Sequence, residues 1–235
     1  GLGGGAIYTP IQVWFGIDFH VAAAMSLFLI MCTSLSATFV FHKAQKIDWP
    51  LAFAMETTTA VGSFLGGYYS GLFSAELLSI LFSCTIAAVG LTMLSGIQPL
   101  KMQPNTNTWY NWHRPSYTIN LPLALVIGFI AGSFSGLLGI GGGVLKVPLL
   151  VLLLGVPMDI AIGTSAFMVG ITALSGFTGH WLQGHFDCSS AVVMACLVLV
   201  GAQIGSKKSL ATDKKQLRKG CGILLVIIAL AMLFS

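Results

Sequence analysis

The chain has 235 residues, 56% of them hydrophobic and 8% charged, with a net charge of +4 and a mean hydropathy of +0.90. A soluble domain carries about 25% charged residues, and one this apolar would expose aggregating patches, so a water-soluble fold is excluded and the bilayer is the natural solvent. The eleven Lys and Arg fall in short connections and avoid the apolar runs, which is loop charge on a membrane protein and no sign of nucleic-acid binding.

The chain opens on Gly1-Leu2-Gly3-Gly4-Gly5, without Met and without a cleavable signal, as a trimmed chain would. The stretch 6–16 follows this glycine cluster and contains Pro10. At 11 residues it is too short to cross about 30 Å of hydrocarbon at about 1.5 Å per residue. It reads as one arm of a broken helix, which survives at membrane depth only when buried in protein. Spans are expected next at 21–41, at 50–69 with Glu56, and at 76–95 with Glu76 near its start. The polar stretch 98–119 then reads as a cytoplasmic linker between two transmembrane repeats, 1–97 and 120–235. Beyond it come a span at 121–140, a second short stretch at 144–155 after Gly141-Gly142-Gly143, and spans at 159–179, 189–206 and 220–234. Trp49, Trp109, Trp112 and Trp181 sit at segment ends, as interfacial anchors do. The five cysteines form no CxxC and lie mostly in apolar runs, where Cys acts as a small hydrophobe.

The two halves repeat each other at an offset of 138 to 139 residues. Gly3-Gly4-Gly5 with Pro10 matches Gly141-Gly142-Gly143 with Pro148; Ser26 matches Ser165 and Thr33 matches Thr172. His42, Gln45 and Asp48 match His180, Gln183 and Asp187 with one gap, and Gly62 and Gly66 match Gly201 and Gly205. The second glycine cluster is preceded by the helix 121–138, with small residues at Gly128, Gly132, Ser135, Gly136 and Gly139. By symmetry a further helix is expected ahead of Gly1. In the first half the basic connection holds Lys43 and Lys46, whereas the matching connection 180–188 has no Lys or Arg and the next one, with Lys207 through Lys219, is strongly basic. Positive loops face the cytoplasm, so equivalent loops lie on opposite sides and the repeats are inverted. Fold class is therefore all-α: a polytopic helical bundle of two inverted repeats with broken helices after glycine-rich turns, an architecture whose binding site lies at the repeat interface.

Four groups carry candidate chemistry. The clusters Gly3, Gly4, Gly5 and Gly141, Gly142, Gly143 each lead into a short helix, where converging backbone N–H groups and the positive helix end suit an anion; close helix packing is the competing reading. Lys146 stands in an apolar stretch, where a cation costs at least about 2.5–3.5 kcal/mol, and reads as an anion attractor or a snorkelling side chain. Ser26 and Thr33, and likewise Ser165 and Thr172, lie seven residues apart on one helix face. With Thr164 they offer hydroxyl donors to an oxyanion, or bond helices together. Glu56, whose repeat partner is Ala195, is a candidate for proton coupling. His42 and His180 read as interfacial caps, and no metal cluster or cofactor is implied. The sequence has no P-loop, HExxH or GxSxG and no paired carboxylates, so an enzyme is not indicated.

The run Gly132-Ser133-Phe134-Ser135-Gly136-Leu137-Leu138-Gly139-Ile140-Gly141-Gly142-Gly143, with Lys146-Val147-Pro148, Gly155-Val156-Pro157, Gly163-Thr164-Ser165, Gly179-His180, Gly184-His185-Phe186-Asp187 and Gly201-Ala202-Gln203-Ile204-Gly205, resembles the TauE/SafE family of sulfite and sulfonate exporters. The first half is more diverged, with Ala24-Met25-Ser26 where the second has Gly163-Thr164-Ser165. The resemblance implies a multi-pass carrier in the bacterial or archaeal cytoplasmic membrane that moves sulfite, sulfonates or related small anions. The partners expected are that anion, the lipid bilayer and a coupling ion, proton or sodium. A passive anion channel of the same fold and a membrane scaffold subunit are the alternatives.

Overall fold

The computed structural model describes residues 4–95, 111–113, 118–184, 186 and 188–233. Gly3 and most of the linker 98–119 lie outside the described residues. The helices are α1 (Gly5–Trp14), α2 (Phe19–Lys43), α3 (Trp49–Tyr69), α4 (Ala75–Leu94), α5 (Leu121–Leu138), α6 (Gly143–Leu152), α7 (Met158–Leu182), α8 (Cys188–Ala211) and α9 (Lys214–Leu233). Among the described residues the helices are joined by one short antiparallel ladder, in which Asn111 faces Asn120 and His113 faces Thr118.

Polar residues set the helix starts. Asp18, Asp48, Ser74 and Asn120 each accept a backbone N–H from the first turn of the helix that follows, satisfying a donor that would otherwise be orphaned. The two short helices start differently. Gly4 and Gly142 cap α1 and α6 with φ of 80° and 76°, a left-handed geometry that glycine adopts without strain. Pro10 and Pro148 then occupy the sixth position of each ten-residue helix.

Among the described residues five helices, α2, α4, α5, α7 and the Lys215–Leu233 part of α9, are long and apolar enough to cross a membrane. The sequence also suggested spans at 50–69 and 189–206. There α3 has the length, 21 residues, but not the hydropathy, while the 24-residue α8 runs through the second stretch. For α3 the packing explains this, because it lies against α5 on one side and α7 on another and shields Thr59 and Ser63 completely.

Helix directions follow from side-chain contacts. Lys46 Nζ meets Asp159 Oδ2 at 2.6 Å, Ser34 donates to the Ala166 carbonyl, and Leu27 and Ile30 share a buried cluster with Val169 and Ala173. The end of α2 therefore lies beside the start of α7, and these two repeat-matched helices run antiparallel. Ser36 Oγ donates to the Leu199 carbonyl at 3.3 Å, and Leu210 packs in the cluster around Phe41, so α2 and α8 run in the same direction. Arg218 donates to the carbonyls of Met93 and Thr92 at 2.9 and 3.1 Å, which brings the start of α9 to the end of α4. Lys43, Lys46, Lys207, Lys208 and Arg218 thus share one end of the bundle.

Small residues let α3 and α5 touch backbone to backbone. A Cβ placed on Gly132 would collide with the Thr59 carbonyl, one on Gly136 with the Ser63 carbonyl, and one on Gly66 with the Ser133 carbonyl. Gly201 and Gly205, which match Gly62 and Gly66 in the repeat, meet nothing within 4 Å. Overpacking typically costs about 1–3 kcal/mol. Gly136→Leu should therefore lower the thermal midpoint of the detergent-solubilised protein by several degrees, while Gly201→Leu leaves it within a degree or so of the parent.

Candidate functional site

Two of the polar places inside the bundle are related by the repeat. The first is built on α6. Lys146 is the fourth residue of that helix, its side chain is 1% exposed, and burial among apolar neighbours forces its ammonium to find compensation. Nζ donates to Glu56 Oε2 at 3.0 Å and also to Thr172 Oγ1. The Thr172 hydroxyl in turn donates to Glu56 Oε1 at 2.6 Å, closing a ring of three side chains from α3, α6 and α7. Glu56 is 4% exposed and Thr172 fully buried.

The ring is electrically neutral, so Lys146 offers no free charge in this conformation. It does not snorkel; its ammonium is turned inward onto the Glu56 carboxylate. Beside it, the buried Ser135 hydroxyl from α5 has no hydrogen-bond partner among the described residues. A Cβ on Gly142 would lie 3.1 Å from Ser135 Oγ and 3.3 Å from Lys146 Cε, so the glycine keeps the hydroxyl and the lysine stem close.

The second place is a cavity of about 390 Å³ between α1, α2, α7 and α8. Gly4, Tyr8, Thr33, Ser34, Ser206 and Ser209 supply its polar groups, and its remaining walls are apolar. At the repeat offset Gly4 matches Gly142, Tyr8 matches Lys146 and Thr33 matches Thr172. The cavity therefore carries a phenol, Tyr8, at the position that matches the ammonium of Lys146, and the residue that matches Glu56 is Ala195. Ser206 is 8% exposed and lines the cavity.

The other residues expected at a site are placed as follows. Ser26 is fully buried and accepts hydrogen bonds from Thr9 at 2.9 Å and Gln12 Nε2 at 3.4 Å, tying α2 to α1. It does not share the cavity with Thr33, although the spacing puts both on one face. Gln12 Oε1 is buried there with no partner among the described residues. Thr164 accepts the Asp48 backbone N–H at 3.0 Å and so fixes the start of α3 on α7, and Ser165 is fully buried beside it in the chain. Gly5 and Gly141 both press on Ile30, so the glycine-led turns of the two halves meet around that side chain, while Gly143 opens α6 in a buried position. His180, expected at the interface, is fully buried instead. Its Nε2 lies 2.8 Å from the Gly136 carbonyl and its Nδ1 lies 3.3 Å from Ser70 Oγ, which ties α7 to α5 and to the turn after α3. Tyr8, Ser34, Ser135 and Ser206 were not singled out as site residues, since a lone hydroxyl in an apolar run carries no signal of which face it takes.

A family model described as "Sulfite exporter TauE/SafE" matches residues 1–232. The chain is 26% identical to the probable membrane transporter protein YunE of Bacillus subtilis over 97% of this chain and 87% of that protein. It is 26% identical to the probable membrane transporter protein YdhB of the same organism, covering 99% and 92% of the two chains. A probable membrane transporter protein of Haemophilus influenzae is 29% identical over 88% of this chain and 76% of its own length. No solved structure matches the chain.

Removing one partner of a buried ion pair costs about 3–5 kcal/mol, because the other is left uncompensated, whereas replacing both is often close to neutral. Lys146→Met and Glu56→Gln should each destabilise the detergent-solubilised protein by that order, and the double variant should recover most of the loss. A double-mutant cycle on denaturant unfolding measures it, and additive losses would show that the two side chains do not act as a pair.

Proposed function

We propose that this chain, which belongs to the sulfite exporter TauE/SafE family of membrane transporters, exports small sulfur-containing anions such as sulfite or organosulfonates by alternating access. The membrane is the bacterial cytoplasmic membrane, with the end that carries Lys43, Lys46, Lys207 and Lys208 facing the cytoplasm. The observation that carries the reading is the Lys146–Glu56 pair, sealed among membrane helices one turn from the glycine-capped start of α6. Ionisable groups in that position are costly, and in carriers they serve substrates and coupling ions.

The ring suggests how coupling works. Lys146 is balanced by one carboxylate, and a substrate anion brought beside an intact pair would leave an uncompensated negative charge in a medium of low polarity. If Glu56 takes up a proton, its charge disappears and Lys146 becomes a free cation. The anion then replaces the carboxylate, and Thr172 and Ser135 are hydroxyls at hand to donate to its oxygens. Proton and anion enter the site together and leave it together, so the site stays neutral throughout, and export runs while the outward anion gradient exceeds the opposing proton gradient. At the cavity between α1, α2, α7 and α8, the walls of Tyr8, Thr33, Ser34 and Ser206 offer neutral donors to an oxyanion whose charge is spread over several oxygens, beside the positive end of α1. Inverted repeats make the two places natural stations on opposite sides of one transport step.

Proteoliposome flux tests this. A pH gradient should drive uphill accumulation of sulfite or an alkyl sulfonate. Glu56→Gln should abolish the dependence on that gradient, and Tyr8→Phe with Thr33→Val should lower flux roughly tenfold, the loss of one to two hydrogen bonds. Flux that only runs downhill under proton and sodium gradients alike would replace the carrier with a passive channel. No flux of any sulfur anion would favour a scaffold.

A further inference from the structure

The end of the bundle that gathers the basic residues also carries a feature the transport site does not use. Between α2 and α8 runs a groove of about 590 Å³. Its walls are Leu35, Phe39, Leu199, Val200 and Ile204, and Phe39, Val200 and Ile204 are all well exposed. One end is different. Lys207 lines the groove, with the Gln203 amide one helical turn before it, and the Lys43 ammonium sits over the Phe39 ring, 4.6 Å from its centroid. No carboxylate lies among the lining residues.

The Ser36–Leu199 hydrogen bond holds the two helices parallel, so residue numbers rise towards the basic end on both walls. An apolar trough therefore runs along the hydrocarbon side and finishes at two lysines in the plane where lipid headgroups lie. Of the occupants available in a bilayer, one matches both parts: an acyl chain for the trough and a phosphate for the cations. A zwitterionic lipid would bring its own cation to the two lysines, and a free anion would leave the trough empty.

We propose that this groove is a binding site for one anionic glycerophospholipid, whose phosphate is held between Lys43 and Lys207 and whose acyl chain lies on Phe39, Val200 and Ile204. A surface Lys near anionic lipid contributes about 1 kcal/mol, so two of them give a preference on the order of tenfold or more over a zwitterionic lipid of the same chains. The site does not depend on the transported anion.

The test uses the full chain, delipidated in detergent and titrated with phosphatidylglycerol or phosphatidylcholine of identical acyl chains, with bound lipid counted by native mass spectrometry. One phosphatidylglycerol should bind with the preference stated above. Lys43→Gln with Lys207→Gln should remove the preference and keep the unfolding midpoint. Ile204→Trp, which fills the trough, should weaken both lipids, whereas Lys208→Gln, outside the groove, should change nothing. Inorganic phosphate at millimolar concentration should not displace the lipid. Equal retention of the two lipids, an unaltered preference in the double lysine variant, or displacement by inorganic phosphate would each overturn the site.

Discussion

Two opposite charges buried together set the terms for the rest of this molecule. Lys146 and Glu56 are almost wholly shielded from solvent and sit 3.0 Å apart, and neither is tolerable there without the other. Their meeting requires α3, α6 and α7 to converge within a few ångströms. Thr172 bridges the pair, and Ser63, about two helical turns beyond Glu56 on α3, donates to the Thr172 backbone carbonyl at 2.8 Å. The polar ring and the helix contacts around it are one structure. A change that moves α3 relative to α7 must also break the ring.

Glycine makes that convergence feasible. On α5 it brings the backbone against α3 at Thr59 and Ser63, and at Gly139, Gly141 and Gly142 it supplies positive φ values of 70°, 74° and 76° that turn the chain from α5 into α6. The same turn places Lys146 one helical turn from its cap. The first half repeats the turn at Gly4 but not the lysine. Tyr8 stands at the matching position and lines the cavity. The repeat thus relates a closed, self-neutralised site, to which α3 of the first half contributes Glu56, and an open, hydroxyl-lined one, to which α8 of the second half contributes Ser206.

Much of the architecture was legible in the sequence. The apolar runs and the two glycine-led short helices fall within a few residues of the observed elements, because hydropathy and glycine clusters are local signals. Lys146, Glu56 and Thr172 each stood out singly. That they form one ring did not, since spacing along the chain carries no information on which helices touch, although two lone charges of opposite sign in apolar runs are themselves a hint of pairing. His180 was misplaced for the opposite reason. Its position at the end of an apolar run looked interfacial, while the Gly136 carbonyl offered it a buried partner that only tertiary packing reveals. Ser26 and Thr33 share a face by periodicity but meet different neighbours: Thr9 and Gln12 of α1 bond Ser26, while Thr33 lines the cavity.

The central claim is that an anion takes the place of the Glu56 carboxylate on Lys146, which requires Glu56 to accept a proton as the anion binds. Infrared difference spectra recorded on adding sulfite to the reconstituted protein measure this directly. A protonated carboxylic C=O band should appear on binding, and it should be missing in Glu56→Gln. A spectrum in which the carboxylate bands do not change while sulfite is bound would contradict it.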